Sequence, residues 1–270
     1  NHAKKAYKKN ESYERLRQEL GLPDRGHPLF EGAHSPHLVL ALFSEIFAQP
    51  QPDWPPQTRA TGFAFYDGHN ELKMPGPLLE FLDKGAPPLI FTLGTSAVWV
   101  ARDFYQESIA AAKQLGRRAV LLIGDERNRI AEPLPPEIIA VDYAPFESLL
   151  PRGSVMIHHG GVGTTSQGLR AGIPTLIVPF AFDQPDNAAH AERLGTSRTL
   201  HRHKYKRKNV AQELDKLLNN PQYAGHAKVV GERLRKERGA AHACDLIEEY
   251  LDRIPPPQKE SRDLIYASGN

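Results

Sequence analysis

Two histidines, three glycines and two threonines converge in His158 to Thr165, HHGGVGTT, within the segment Ser154 to Gly172, SVMIHHGGVGTTSQGLRAG. An apolar run ends in His158-His159, a glycine-rich turn follows, and the turn opens a helix. Glycines at such a junction let the main chain approach a ligand closely. The free N–H groups of a helix start, with the helix dipole behind them, favour an anion, most simply a phosphate. Thr164 and Thr165 bring hydroxyl donors to the same place, and His159 brings a donor or a positive charge. Two further groups have matching chemistry. Gly94-Thr95-Ser96 is a small polar turn able to approach a phosphate, and Asp183-Gln184 sets a carboxylate beside an amide, which suits vicinal hydroxyls. Taken singly, each also reads as an ordinary strand-to-helix turn or surface loop.

Other chemistries fit the same residues less well. Gly163 to Gly168 satisfies G-x-x-x-x-G, but Leu169-Arg170 stands where a P-loop needs Lys-Ser/Thr. Gly161 and Gly163 give G-x-G, yet Ser166 occupies the third glycine position of the dinucleotide fingerprint, which leaves a nicotinamide-binding domain as the weaker alternative. No G-x-S-x-G elbow surrounds these serines. Neighbouring strand residues face opposite ways, so His158 and His159 are unsuited to one metal ion, and His158 reads as a buried support. His201 and His203 share a strand face but lack further ligands. No D-x-D triplet occurs, so no metal or other cofactor is expected.

The elements that must hold these groups form a regular series. From Pro88 onward, PLIFTLG, RAVLLIG, IIAVDY, SVMIHHGG, TLIVPF and a short run at Ser197 to Leu200 alternate with helical segments over 103–115, 165–171 and 187–194, and helices over 209–218 and 240–254 follow. Continuous apolar strands alternating with helices predict an α/β fold, a Rossmann-like parallel sheet covered by helices. In such a sheet ligands bind outside the carboxyl ends of the strands, where all three polar groups fall. Upstream, Lys8 to Leu20 reads as a charged helix. Strands are expected over His37 to Phe43 and Thr58 to Tyr66, either side of the extended PQPDWPP.

The chain has 270 residues, with 34 Lys plus Arg against 32 Asp plus Glu, a net charge of +2. That balance speaks against a nucleic-acid binder. A single cysteine, Cys244, excludes an internal disulfide framework. The longest apolar stretch, around Leu38 to Phe47, is broken by Ser44 and Glu45, well short of the ~20 residues that span a bilayer. The opening NHAKKAYKKN lacks a secretory apolar core, and the expected setting is cytoplasmic. The basic run between Arg193 and Lys208 reads as a solvated loop, with at most peripheral membrane contact.

HHGGVGTT, GLRAGIPTLIVPF and DQPDNA together resemble the donor-binding half of the inverting nucleoside-diphosphate-sugar glycosyltransferases. That superfamily includes UDP-glucuronosyl, UDP-glucosyl, sterol and antibiotic enzymes and has the GT-B fold of two Rossmann-like domains. The likeness is dense over Asp142 to Ala189 and looser from Leu38 to Leu251. It implies that His159 contacts the donor diphosphate, with Thr164 beside it and Gly163 where plant members carry asparagine. It implies that Asp183 and Gln184 hold sugar hydroxyls. Tyr143 falls at the base-stacking tryptophan and can still stack, Gln167 falls at the ribose-binding glutamate, and Phe146 replaces a glutamine; these three depart from the plant pattern, and the resemblance implies a UDP-sugar with a dTDP-sugar as the alternative. The family's general base and acceptor site lie in the N-terminal domain. Residues 1–56 are therefore expected to be the tail of that domain, 57–75 a linker, 76–254 the donor-binding domain and 255–270 a C-terminal tail. The chain is then a truncated or separately encoded donor half, inactive alone. It needs the acceptor domain in cis or a partner chain to reach a hydroxyl acceptor, lipophilic or lipid.

Overall fold

The computed structural model describes residues 11–24, 26, 33–66, 73–94, 97–131 and 133–253. Thr95, Ser96 and the expected tail 255–270 lie outside the described residues. The charged segment near the start forms α1 (Glu11–Glu19), which buries none of its residues. β1 (Val39–Ala41) and β2 (Thr58–Ala60) pair in parallel, Val39 opposite Thr58, as a separate two-stranded sheet. Both are shorter than the sequence predicts. After β1, the Ser44 hydroxyl binds Glu237 and caps Ile46 N–H instead of continuing a ladder. After β2, Gly62 takes a positive φ of 94° and Phe63 turns inward.

The remaining chain alternates as expected: α2 (Gly76–Asp83), β3 (Leu89–Thr92), α3 (Phe104–Gln114), β4 (Ala119–Leu122), β5 (Ile138–Val141), α4 (Phe146–Leu149), β6 (Val155–His158), α5 (Val162–Ala171), β7 (Thr175–Ile177), α6 (Gln184–Arg193) and β8 (Ser197–Thr199). α7 (Arg207–Asn219), α8 (Pro221–Leu234) and α9 (Gly239–Asp252) follow. The six strands from β3 to β8 are parallel, in the order β5-β4-β3-β6-β7-β8.

Every residue of β3, β4, β6 and β7 is buried, which is why their sequences are apolar apart from Thr92, His158 and Thr175 at strand ends. Alternation along the strands sorts their side chains between two layers. Leu89, Phe91, Leu121 and Ile157 meet Phe104, Tyr105 and Leu214 of α3 and α7. Ile90, Val120 and Met156 meet Leu78 of α2 and Leu149 of α4. A third cluster joins Phe47 and Phe63 of the upstream segment to Leu169, Ile177, Ala188 and Leu234. The upstream segment is thus docked on α5, α6 and α8. Gly239, which opens α9, lies so close to it that a Cβ there would fall 2.4 Å from the Phe63 carbonyl oxygen.

Candidate functional site

β3 and β6 are the neighbours at which the strand order reverses, so the crevice of the sheet opens just past Thr92 and His158. His159 lies on its floor, 3% exposed. The Gly94 N–H donates to His159 Nδ1 at 3.1 Å. That bond leaves Nε2 as the protonated nitrogen of a neutral ring. Burial lowers the pKa of His159 and outweighs the opposing pull of Asp183. A Cβ on Gly94 would stand 2.3 Å from His159 Cε1, and one on Gly161 would stand 2.5 Å from Nε2. The imidazole is therefore clasped between two stretches of bare main chain. These two glycines make room for the histidine. Gly163 is different: nothing lies within 4 Å of a Cβ built there, so its main chain faces open space.

His158 is fully buried, and its Nδ1 accepts the Gly160 N–H at 3.1 Å. Its Nε2 has no hydrogen-bond partner among the described residues. Desolvation, helped by His159, pushes its pKa down to about 3, so it too stays neutral. It supports the turn, as its position in the motif predicts.

Gly161 caps α5 with no side-chain hydrogen bond, and the helix ladder begins only at Thr165 N–H, which donates to Gly161 O at 2.9 Å. The N–H groups of Val162, Gly163 and Thr164 thus point out of the helix start without a capping side chain. Thr164 is half-buried beside them. Thr165 corrects the sequence reading: it is buried, and its hydroxyl donates to Gly161 O at 3.0 Å instead of facing the crevice. Gly168, two residues past the Ser166 that stands at the third fingerprint position, has a packing role. A Cβ on it would lie 2.9 Å from Thr175 Cγ2 and 3.2 Å from Met156 Sδ, so it lets α5 rest closely on β6 and β7.

The pair Asp183-Gln184 divides its work. Asp183 is exposed at the start of α6, and its Oδ2 accepts from Asn187 Nδ2 at 2.8 Å. Gln184 is buried, and its Oε1 accepts the N–H groups of Phe180 at 2.7 Å and Ala181 at 3.1 Å. The amide oxygen therefore shapes the loop after β7, and only the amide nitrogen is left for a ligand. Phe182, just before Asp183, is 85% exposed at a φ of 59°. Asn187 was not singled out by sequence reasoning. Its Nδ2 also donates to Gly160 O at 2.9 Å, and the available signal was its i,i+4 spacing from Asp183.

Tyr143 is half-exposed in the turn after β5. Phe146 and Gln167 come together in the wall of a cavity of about 400 Å³ between α4 and α5, shared with Arg170 and Arg235. Tyr143 is not in that wall. A larger cavity of about 690 Å³ separates the upstream segment from the sheet, lined by Val39, Phe43 and Trp54 on one side and Val162, Asp183 and Asn187 on the other. Trp54 packs edge-on against Phe43 at 5.7 Å.

The basic run is not simply solvated. Arg198 pairs with Glu213 and donates to Tyr223 at 2.9 Å. Arg202 lies 4.4 Å over the Phe180 ring, and Lys206 bonds Asp103 and Glu107. Among the described residues no group of three His, Cys, Asp or Glu could hold a metal ion. No helix among them is long and apolar enough to cross a membrane.

Residues 106–247 match the family described as Erythromycin biosynthesis protein CIII-like, C-terminal domain. The O-mycaminosyltylonolide 6-deoxyallosyltransferase of Streptomyces fradiae is 36% identical over 242 residues, 88% of this chain and 56% of that protein. A sterol 3-beta-glucosyltransferase of Leptosphaeria maculans is 30% identical over 248 residues, 88% of this chain but 17% of its own length. The chain thus spans about half of the first relative and a far smaller share of the second. Among solved structures, the glycotransferase of kitacinnamycin superposes with a TM-score of 0.71 at 23% identity, over 89% of this chain and 61% of that one. The calicheamicin glycosyltransferase CalG4 superposes with a TM-score of 0.67 at 21% identity, over 91% and 61%. With the family match extending over more than half the chain, this protein belongs to the Erythromycin biosynthesis protein CIII-like C-terminal domain family, within the GT-B glycosyltransferases.

Proposed function

We propose that this chain is the donor-binding half of a glycosyltransferase that takes a nucleoside-diphosphate sugar. The observation that carries the reading is the His159 ring, neutral and protonated on Nε2, clasped between Gly94 and Gly161 at the uncapped start of α5. A fixed N–H donor beside three outward main-chain N–H groups suits a diphosphate. It also suits the charge that builds on a diphosphate as it departs. His159, Thr164 and the α5 start take this leaving-group role, and Asp183 and Gln184 Nε2 take sugar hydroxyls. Departure needs no metal in this scheme, because main-chain and imidazole donors carry the charge.

The pyrimidine diphosphate is UDP or dTDP. The overall resemblance to the UDP-sugar enzymes favours UDP, and Tyr143 can still stack on its base. Solved structures of a spinosyn rhamnosyltransferase complexed with thymidine diphosphate and of VinC with dTDP, both sharing this fold, support the second. The acceptor is a hydroxyl on a lipophilic molecule, a sterol being the acceptor in the name of one relative. The base that deprotonates it belongs to an acceptor domain in cis or on a partner chain, in a cytoplasmic setting. Without such a base, a rate loss of about 10² to 10⁴-fold is expected of this chain alone.

Calorimetry with UDP, UDP-glucose and dTDP tests the reading. Binding of a diphosphate by the wild-type chain, lost in His159→Ala, is expected. Equal binding by both proteins, or tighter binding of NADH than of any of the three, refutes it.

A further inference from the structure

Asn187 sits 6% exposed on the first full turn of α6, where its single amide nitrogen holds two acceptors. One is Gly160 O at 2.9 Å, in the turn that carries His159; the other is Asp183 Oδ2 at 2.8 Å. Gly160 has no freedom to follow a change on either side. Its N–H is held by His158 Nδ1 at 3.1 Å, its φ is 91°, and a Cβ on it would lie 2.8 Å from Ile177 Cγ2. Both polar groups of one glycine are thus tied to buried side chains from two different elements. One of those side chains runs on to the exposed carboxylate of Asp183.

We propose that Asn187 is a positioning residue that fixes the distance between the diphosphate-binding turn and the sugar-binding carboxylate. The proposal rests on the donor-binding reading above. In a nucleoside-diphosphate sugar the hexose is bonded directly to the terminal phosphate. A protein that grips both parts must keep the two grips in register, because about 1 Å of misplacement already costs productive geometry. An NH₂ group has two hydrogens, so one Asn side chain meets both acceptors without choosing between them. An aspartate of the same shape would set two further lone pairs against Gly160 O and Asp183 Oδ2.

The test is a double-mutant cycle by calorimetry on the full 270-residue chain. The probes are UDP and UDP-glucose, with dTDP and dTDP-glucose run in parallel. Asn187→Ala is expected to weaken the nucleotide sugar about tenfold more than the bare nucleotide, the scale of one hydrogen bond to a charged group. In an Asp183→Ala background that selective loss should vanish, since the carboxylate to be aligned is gone. Asn187→Asp is expected to reproduce the selective loss and serves if the alanine variant does not fold. Equal weakening of both ligands alongside a lower melting temperature would mark a merely structural role and overturn the proposal, as would additivity with Asp183→Ala. If the wild-type chain binds none of the four probes, the donor reading falls and the coupling falls with it. If wild type binds and His159→Ala does not, but Asn187→Ala shows no selectivity, the coupling alone is refuted.

Discussion

Replacing Gly94 by alanine tests whether the glycine serves the histidine. The added Cβ would stand 2.3 Å from His159 Cε1, 2.7 Å from Nε2 and 3.2 Å from Nδ1. The Nε2 side of the ring has room only because Gly161 also lacks a side chain, since a Cβ there would stand 2.5 Å from Nε2. Overpacking of this kind costs about 1–3 kcal/mol. For a chain of this size that lowers the melting temperature by roughly 2–4 °C per kcal/mol. Displacing the ring also breaks the Gly94 N–H to Nδ1 bond, and with it the assignment of the proton to Nε2. Loss of an oriented donor to a charged diphosphate costs about 1.5–3 kcal/mol, or roughly ten- to a hundredfold in affinity for UDP. Scanning calorimetry and titration with UDP read the two effects separately. The decisive comparison is the double variant Gly94→Ala/His159→Ala. Removing the ring makes space for the methyl group, so the pair should be more stable than Gly94→Ala alone. A single variant with wild-type stability and affinity, or a double variant no more stable than it, would refute the steric argument.

Three other outcomes are expected. His158 titrates near 6.5 when unfolded and about 3 when folded, so the stability it contributes is complete above pH 6.5 and falls as the pH drops toward 3. The slope approaches about 1.4 kcal/mol per pH unit, and His158→Asn, which keeps an acceptor for Gly160 N–H, should flatten that limb in urea titrations at stepped pH. Phe182→Gly should stabilise the fold by about 0.5–1 kcal/mol, because it relieves a left-handed conformation at an exposed side chain; unchanged or lower denaturation midpoints contradict this. Gly168→Ala should destabilise by about 1–3 kcal/mol as α5 is pushed off Thr175 and Met156, with a midpoint equal to wild type as the disproof.

The alternation of strands and helices from Leu89 to Thr199 was legible in the residues themselves. Strands buried on both faces must be apolar throughout, and the helices between them carry only one apolar stripe. The glycine-rich turn at the floor of the crevice was legible for a similar local reason. The end of β6, the glycine turn and the start of α5 are contiguous, so their chemistry is written in one segment. Strand lengths upstream were not, since Ser44 ends β1 by bonding a glutamate 193 positions away.

Direction and partnership were decided only by the tertiary structure. Adjacent helical residues point about 100° apart, so packing against the sheet determined that Thr165 turns inward while Thr164 stays beside the crevice. The loop after β7 took the Gln184 oxygen and left Asp183 exposed. The central arrangement, His159 held by a glycine 65 residues earlier, exists because the parallel sheet sets β3 beside β6. Sequence by itself determined which groups are available and on which elements they ride. Folding decided which of them lose their hydrogen bonds to the protein's own main chain and which remain free for a ligand, because that choice depends on neighbours distant in the chain.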